Sequence, residues 1–317
     1  MDTGISTSVP ERTRRGINPK TKHKLKLFAL MTPFMALLIA FNYVPLFGWV
    51  YAFFNYIPGA PLSQMEFAGL SYFKTIFAGG SELIPVLRNT LVLGFLIVIT
   101  IPVPAIFAIL LNEMRSKTLS KIVQTVSTLP YFLSYVLIFA VMFFLFSNDS
   151  GLVNTLLHRF RPDSPSVNPM ASSTWAWGFQ TLLHLIKTSG FNAIIYIAAI
   201  AGIDREQYDA AEVDGAGRFQ RIWHVTVPGI VPTLFVLLVL SIANVLTASG
   251  FDQYYVFTNP LVADKIDVID TYSYTIGITQ NNYAFATAIG MSKSLVSILI
   301  LFAANFLSKI VRGTSLF

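Results

Sequence analysis

Few residues in this chain are placed to do chemistry, and they fall into two groups. The first comprises ionisable side chains inside long apolar runs: His184 and Lys187 in one run, Lys293 in another. A charge at membrane depth is expensive, so each marks a function unless it has a structural partner. The second group is a polar island at residues 204–228. It combines dense charge with small residues (Ala210, Ala211, Gly215, Ala216, Gly217), then an aromatic and basic section that ends at Pro228. Metal chemistry is not expected. The chain has no cysteine, and its four histidines (His23, His158, His184, His224) lack ligand spacing.

The elements that must hold these residues are membrane-spanning helices. Of the 317 residues 54% are hydrophobic and 12% are charged, against about 25% charged in soluble domains. Apolar runs of spanning length occur at residues 25–54, 86–111, 126–146, 174–203, 229–249 and 284–310. The expected fold is therefore all-α, a polytopic membrane protein with six transmembrane helices. The first run is too long for a signal-peptide core and has no small-x-small cleavage site, so it reads as an uncleaved span bent by Pro33 and Pro45. Residues 1–24 read as a disordered basic tail, residues 25–317 as the transmembrane domain, and 151–160 as a short amphipathic helix at the interface.

Charge placement orients the spans. Fifteen of the 22 Lys and Arg residues fall on the side of the termini: seven in the tail and its junction, three after the second run, three in the island and two at the C-terminus. Five lie opposite (Lys74, Arg88, Arg159, Arg161, Lys265) and two inside spans. The positive-inside rule then puts both termini and the island in the cytoplasm, in a multi-pass cytoplasmic (inner) membrane protein. The formal charge of +6 belongs to membrane ends and gives no reason to expect nucleic acid.

Within the island, Asp204 and Gln207 have capping-box spacing and start a helix running to about Val213. Asp214-Gly215 is a breaker, with Gly215 or Gly217 able to take a positive φ. A second helical piece would put Phe219, Ile222 and Trp223 on one face. Composition alone equally allows an ordinary loop lying on lipid headgroups.

The spacing is more specific than the composition. Asp209-Ala210-Ala211, three residues, Gly215, nine residues, Val225, one residue, Val227-Pro228 resembles the EAA signature of permease subunits in binding-protein-dependent ABC importers. Asp209 stands for Glu, Val225 for Ile and Val227 for Leu. Further stretches resemble the LplB-like carbohydrate permeases, related to the MalF-type family. They are 42–45, 89–91, 108–113, 124–125, 129–134, 250–253, 269–272 and 286–288.

The resemblance implies a type I ABC importer permease fold and one half of a transmembrane heterodimer. It also implies two ABC ATPase subunits, an extracytoplasmic solute-binding protein and an oligosaccharide substrate within a lipid membrane. Asp209, Ala210, Ala211, Asp214, Gly215 and Pro228 would form the ATPase-coupling loop. The chain has no phosphate-binding loop. It is accordingly expected to be a transport subunit rather than an enzyme, binding no cofactor, with ATP and Mg used by the partner subunits. By offset from the island, the resemblance points to His184, Thr188, Phe191, Ser241, Asn244 and Val245 as the substrate pocket, with Tyr131, Tyr135 and Asn192 placed there by position.

No span contains an internal Asp or Glu, so the two buried lysines lack an obvious intrachain counter-ion. Lys293, about 12 Å from the outer end at 1.5 Å per residue, can snorkel outward. A carboxylate of the second permease, or an anionic substrate of the alginate or pectin type, can supply the charge for Lys187. Ser and Asn in membrane helices also commonly bond a neighbouring helix. The competing expectations are a permease for another solute, a secondary transporter and a membrane enzyme. The latter two need intramembrane acids or a catalytic constellation that the spans do not contain.

Overall fold

A computed structural model describes residues 19–78, 82–246 and 250–312. Among these residues the regular structure is all helical, with one isolated bridge between Phe54 and Phe67. It divides into two units, Met1–Val50 and Tyr51–Phe317.

The first unit holds α1 (Pro19–Leu38), which begins earlier than the sequence boundary at residue 24. The part of the expected tail at residues 1–18 lies outside the described residues. The helix continues through a π-turn, Ile39–Tyr43, into a 3-10 segment, Val44–Phe53. It therefore changes winding near its prolines and stays one span, His23–Phe53. A π-turn accommodates an extra residue without abandoning the hydrogen-bond ladder.

The second unit follows with α2 (Ser71–Phe77), α3 (Leu83–Thr100) and α4 (Pro102–Asn112). Pro102 opens α4 at a position whose N–H is dispensable, so α3 and α4 still form one 30-residue span. The third expected span is not one helix. α5 (Lys117–Thr128) and a 3-10 turn, Leu129–Phe132, meet α6 (Tyr135–Phe146) at a bend of 103°. Pro130 lacks an N–H, Leu133 and Ser134 are extended, and the Ser134 hydroxyl caps α6 by accepting from Leu137 N–H at 3.3 Å.

Next come α7 (Leu152–Phe160), α8 (Ala176–Ala201), α9 (Arg205–Val213), α10 (Arg218–Arg221) and α11 (Val227–Ala243). A π-turn, Ile222–Thr226, joins α10 to α11, so the fifth span starts before residue 229 and reaches back to Arg218. Three short helices, α12 (Phe251–Phe257), α13 (Ala263–Ile266) and α14 (Ile269–Tyr274), occupy the stretch between the fifth and sixth apolar runs. The last span is α15 (Tyr283–Arg312). Among the described residues five helices are long and apolar enough to cross a membrane, and the bent α5–α6 pair makes the sixth crossing when taken as one.

Small residues set the closest contacts. Ala105 and Ala108 of α4 and Ala193 of α8 are buried together with Tyr196 and Ile230, the small-residue packing expected where lipid gives helices no hydrophobic drive to associate. A Cβ built on Gly190 of α8 would lie 2.0 Å from the Ser127 carbonyl of α5, so these two backbones touch.

The short helices at the far end, opposite 204–228, are bolted down by stretches that looked like family signatures. Asn89 Nδ2 donates to the carbonyls of Asp264 and Asp267, both at 3.0 Å. Thr90 Oγ1 accepts the Ile269 N–H at 3.0 Å, and Gln253 Nε2 donates to the Gln180 carbonyl at 2.8 Å. Asn89, Thr90 and Gln253 are fully buried. Buried polar groups of this kind must be paired, which explains why these residue types occur at these points.

Candidate functional site

The 204–228 segment folds as a closed helical hairpin tip. The Asp204 carboxylate caps α9 by accepting from Glu206 N–H at 3.0 Å, so the cap is made by Asp204 without the Gln207 half of the expected box. At the other end Gly215 takes φ +74°, and Gly217 does not need a positive value. Ala216 N–H donates to the Ala211 carbonyl at 2.9 Å and Gly215 N–H to the Glu212 carbonyl at 3.0 Å. This paired closure is a Schellman motif, which requires its left-handed residue four positions after Ala211. The Ala-Ala-x-x-x-Gly spacing thus has a backbone cause.

Side chains tie the tip to the spans. Tyr208 OH bonds Thr226 Oγ1 at 2.9 Å. Arg218 Nε donates to Glu113 Oε2 at 2.5 Å at the end of α4, and Arg221 to Glu212 at 3.2 Å. Asp209, with Arg205, Tyr208 and Arg221, lines a cleft of about 520 Å³ at this end. Asp209, Ala210 and Asp214 are exposed and Ala211 is half-buried. Pro228 sits in the first turn of α11 and is exposed. Val213, Phe219 and Trp223 are 88%, 86% and 70% exposed. Three large apolar side chains on a charged tip mark an interaction surface, for protein or for lipid.

At membrane depth the candidate pocket residues separate into two neighbouring groups. His184, Thr188 and Asn192 repeat every fourth residue along α8 and face Ser241 and Asn244 across a cavity of about 300 Å³. Thr100 and Tyr196 also line it. Sequence reasoning omitted both, although Tyr196 continues the same four-residue stripe. Val245 lies instead against Gly94, where a built Cβ would meet its carbonyl at 2.5 Å.

Tyr131, Tyr135, Lys187 and Phe191 form the second group. The Tyr131 and Phe191 rings stack with centroids 3.9 Å apart and planes 6° apart. The Lys187 ammonium stands 5.8 Å from the Tyr131 ring centroid and 5.0 Å from that of Tyr135. It donates to the carbonyls of Pro130 at 3.4 Å and Tyr131 at 2.8 Å, and to that of Leu133. A helix that breaks inside a membrane leaves carbonyls without N–H partners. Lys187 supplies donors to those of Tyr131 and Leu133, a partner that hydropathy reading did not foresee, while the Pro130 carbonyl also accepts the Leu133 N–H at 3.2 Å.

Lys293 corrects the expectation that both buried lysines lack an intrachain counter-ion, because its ammonium bonds the Asp270 carboxylate. Asp270 lies on α14, outside the spans, which is why a search of span interiors missed it. Among the described residues no cluster of His, Cys, Asp and Glu is arranged to hold a metal ion.

Residues 100–313 match the model of the family described as binding-protein-dependent transport system inner membrane component. Protein LplB of Bacillus subtilis is 37% identical, over 89% of this chain and 88% of its own. The polygalacturonan/rhamnogalacturonan transport system permease protein YteP of Bacillus subtilis is 35% identical, over 89% and 87%. A chain in the crystal structure of a bacterial alginate ABC transporter, in complex with an alginate pentasaccharide-bound periplasmic protein, superposes with a TM-score of 0.82. It is 32% identical, with 94% of this chain and 98% of that one covered. With two thirds of its length matched, and the bent pair and the three spans that follow it wholly inside the match, this helical, multi-pass chain belongs to the binding-protein-dependent transport system inner membrane component family.

Proposed function

We propose that this chain is one permease subunit of an ABC importer for oligosaccharides, acidic ones of the alginate or pectin type in particular. The observation that carries the transport reading is the Schellman-closed tip at 204–228, which presents Val213, Phe219 and Trp223 to solvent while the tip is tied to α4 and α11. A rigid, anchored and apolar tip suits seating in a cleft of a cytoplasmic ATPase, whose motion it would pass to the spans. The charge distribution supports placing both termini and this tip in the cytoplasm. In this reading ATP and Mg are consumed by two ATPase subunits, a second permease completes the pathway, and a solute-binding protein delivers cargo from outside. This chain binds no nucleotide.

The acidic substrate is supported by the printed functions of YteP and the alginate transporter and by Lys187. Carbonyl and ring contacts orient that ammonium, which among the described residues has no carboxylate in ion-pair contact, beside a cavity lined with hydroxyl and amide groups. The test is ATPase stimulation of the full assembly with its binding protein in proteoliposomes, across neutral and uronate oligosaccharides. Stimulation by neither class would overturn the reading; equal stimulation by both would restrict it to oligosaccharides in general.

A further inference from the structure

Among the described residues, the far end of the bundle carries an aromatic surface that the mid-membrane pocket does not use. Phe251 and Tyr255, one turn apart on α12, stack with centroids 5.1 Å apart and planes 18° apart. Tyr274, at the end of α14, stands 5.2 Å from each of them, tilted 57° to Phe251 and edge-on at 75° to Tyr255. Tyr255 and Tyr274 are 48% and 37% exposed. Stacked rings left uncovered by the rest of this chain on a polar segment are a costly arrangement for a fold that gains nothing from their exposure.

These rings border a shallow depression of about 490 Å³, lined by Phe251, Tyr274 and Tyr283 on its aromatic walls and by Asp270, Ser273 and Thr287 as polar groups. The polar groups are held in place. Ser273 donates to the Ala286 carbonyl at 3.2 Å and Thr287 to the Tyr283 carbonyl at 2.7 Å, so each hydroxyl oxygen keeps acceptor capacity. Asp270 bonds Lys293 through one oxygen. That partner offsets the carboxylate's charge, so the depression is rich in acceptors without being an anionic trap. Rings with a C–H face on one side and hydroxyl donors at the edge fit such a surface, and a pyranose is such a ring. The mid-membrane cavity, at about 300 Å³, is smaller than this outer depression.

We propose that the Phe251–Tyr274–Tyr283 surface is a loading platform that takes one pyranose ring of the oligosaccharide before the chain reaches the mid-membrane cavity. The inference rests on the oligosaccharide-import reading. The platform selects for ring shape and hydroxyls, and Lys187 below it responds to charge. Uronate and neutral rings are therefore accepted alike at this first position.

The test uses the full assembly in proteoliposomes, with its binding protein loaded either with a galacturonate pentamer or with maltopentaose. Transport-coupled ATPase is titrated with loaded binding protein for wild type, Tyr274→Ala and Tyr274→Trp. Tyr274→Ala is expected to raise the half-saturating concentration about three- to tenfold for whichever sugar the wild type accepts, with the maximal rate held. That range corresponds to the loss of one ring contact. Tyr274→Trp, which keeps an aromatic face, is expected to stay within about twofold of wild type. Sugar-free binding protein should associate equally with all three. An unchanged half-saturation in Tyr274→Ala overturns the platform. So does weakened association of the sugar-free protein, which would make the surface a protein contact. A wild type that responds to neither sugar overturns the import reading itself.

Discussion

Lys187 on α8 donates to the main-chain carbonyl of Tyr131 at 2.8 Å, beside the 103° break between α5 and α6, and its ammonium stands 5.8 Å from the Tyr131 ring that stacks on Phe191. One ammonium thus closes a broken helix and holds a positive charge beside the candidate pathway. The two roles predict separable losses. In Lys187→Met, carbonyls at membrane depth lose a charged donor, which costs about 1.5–3 kcal/mol. The variant should unfold at lower temperature in detergent. If the charge also meets cargo, uronate-stimulated ATPase should fall further than the response to a neutral sugar; an equal fall in both would leave Lys187 only its role at the break. Lys187→Arg keeps the charge and should preserve much of the stability.

Gly190 predicts a sharper structural failure. A Cβ there would meet the Ser127 carbonyl at 2.0 Å, the Ser127 carbonyl carbon at 2.3 Å and Thr128 N at 2.8 Å, all of them backbone. No rotamer change relieves a backbone contact, so α8 must move off α5. Overpacking of this kind costs about 1–3 kcal/mol or more. Gly190→Ala should lower the melting temperature of the purified chain and Gly190→Val should sharply reduce its yield in the membrane fraction.

Hydropathy made the spans legible because lipid imposes a length and a composition that one sequence displays openly. The island was legible for a different reason. A Schellman closure fixes the distance from Ala211 to Gly215, and that distance can be read without coordinates. Breaks within spans were not legible. Pro102 and Pro130 look alike in sequence, yet α3–α4 runs on as one span while α5–α6 turns by 103°. The difference lies at Leu133 and Ser134, which are extended, and at the carbonyls of Tyr131 and Leu133, whose donor Lys187 comes from a helix more than fifty residues away. The pocket was half legible for a related reason. The α8 stripe of His184, Thr188 and Asn192 follows helical spacing, whereas Lys187 and Phe191 turn to a neighbouring face where the broken helix packs. Asp270 escaped notice because its partner Lys293 is in a span and it is not.

The Lys293–Asp270 pair gives a double-mutant prediction. The Lys293 side chain is 12% exposed and that of Asp270 27%, so removing either partner strands the other in a poorly solvated place. Lys293→Met and Asp270→Asn should each destabilise by about 1.5–3 kcal/mol. The double variant should be less destabilised than the sum of the two, as a thermal-shift cycle in detergent would read. Strict additivity would mean that the pair does not interact in the folded chain.

Asp267 predicts a pH dependence with a definite sign. Burial pushes its carboxyl above the ordinary range, opposed by hydrogen bonds from Thr271 and from the Val268 backbone. A carboxyl whose folded value is raised favours the folded state while protonated, below its unfolded value, and loses that contribution as pH rises through the folded value. At neutral pH the ionised group is therefore a burden. Asp267→Asn keeps an acceptor for Thr271 and removes the charge. It should raise the melting temperature near pH 7, and the advantage should shrink as pH falls towards the ordinary aspartate range. A gain that grows on acidification would contradict the burial argument.

Gly215 gives the prediction that separates folding from coupling. Its φ of +74° is a left-handed conformation, and a Cβ added there meets nothing within 4 Å. A side chain at this position therefore causes strain without collision. The cost is about 1–2 kcal/mol for an L-residue, and it falls on the turn that closes α9 rather than on the spans. In Gly215→Val the spans should still insert, and the chain should still purify with its partners. The strain instead favours reopening the Schellman turn, which moves Ala210 and Ala211 relative to Phe219 and Trp223 and so distorts the tip surface. Transport-coupled ATPase should be lost or fall by more than tenfold, while cargo-free assembly persists. Gly215→Ala, less restricted in that region, should show an intermediate loss, and Gly217→Ala, at φ −66°, should show little. Full transport in Gly215→Val would remove the coupling role from this turn and leave the tip a surface loop on the headgroups.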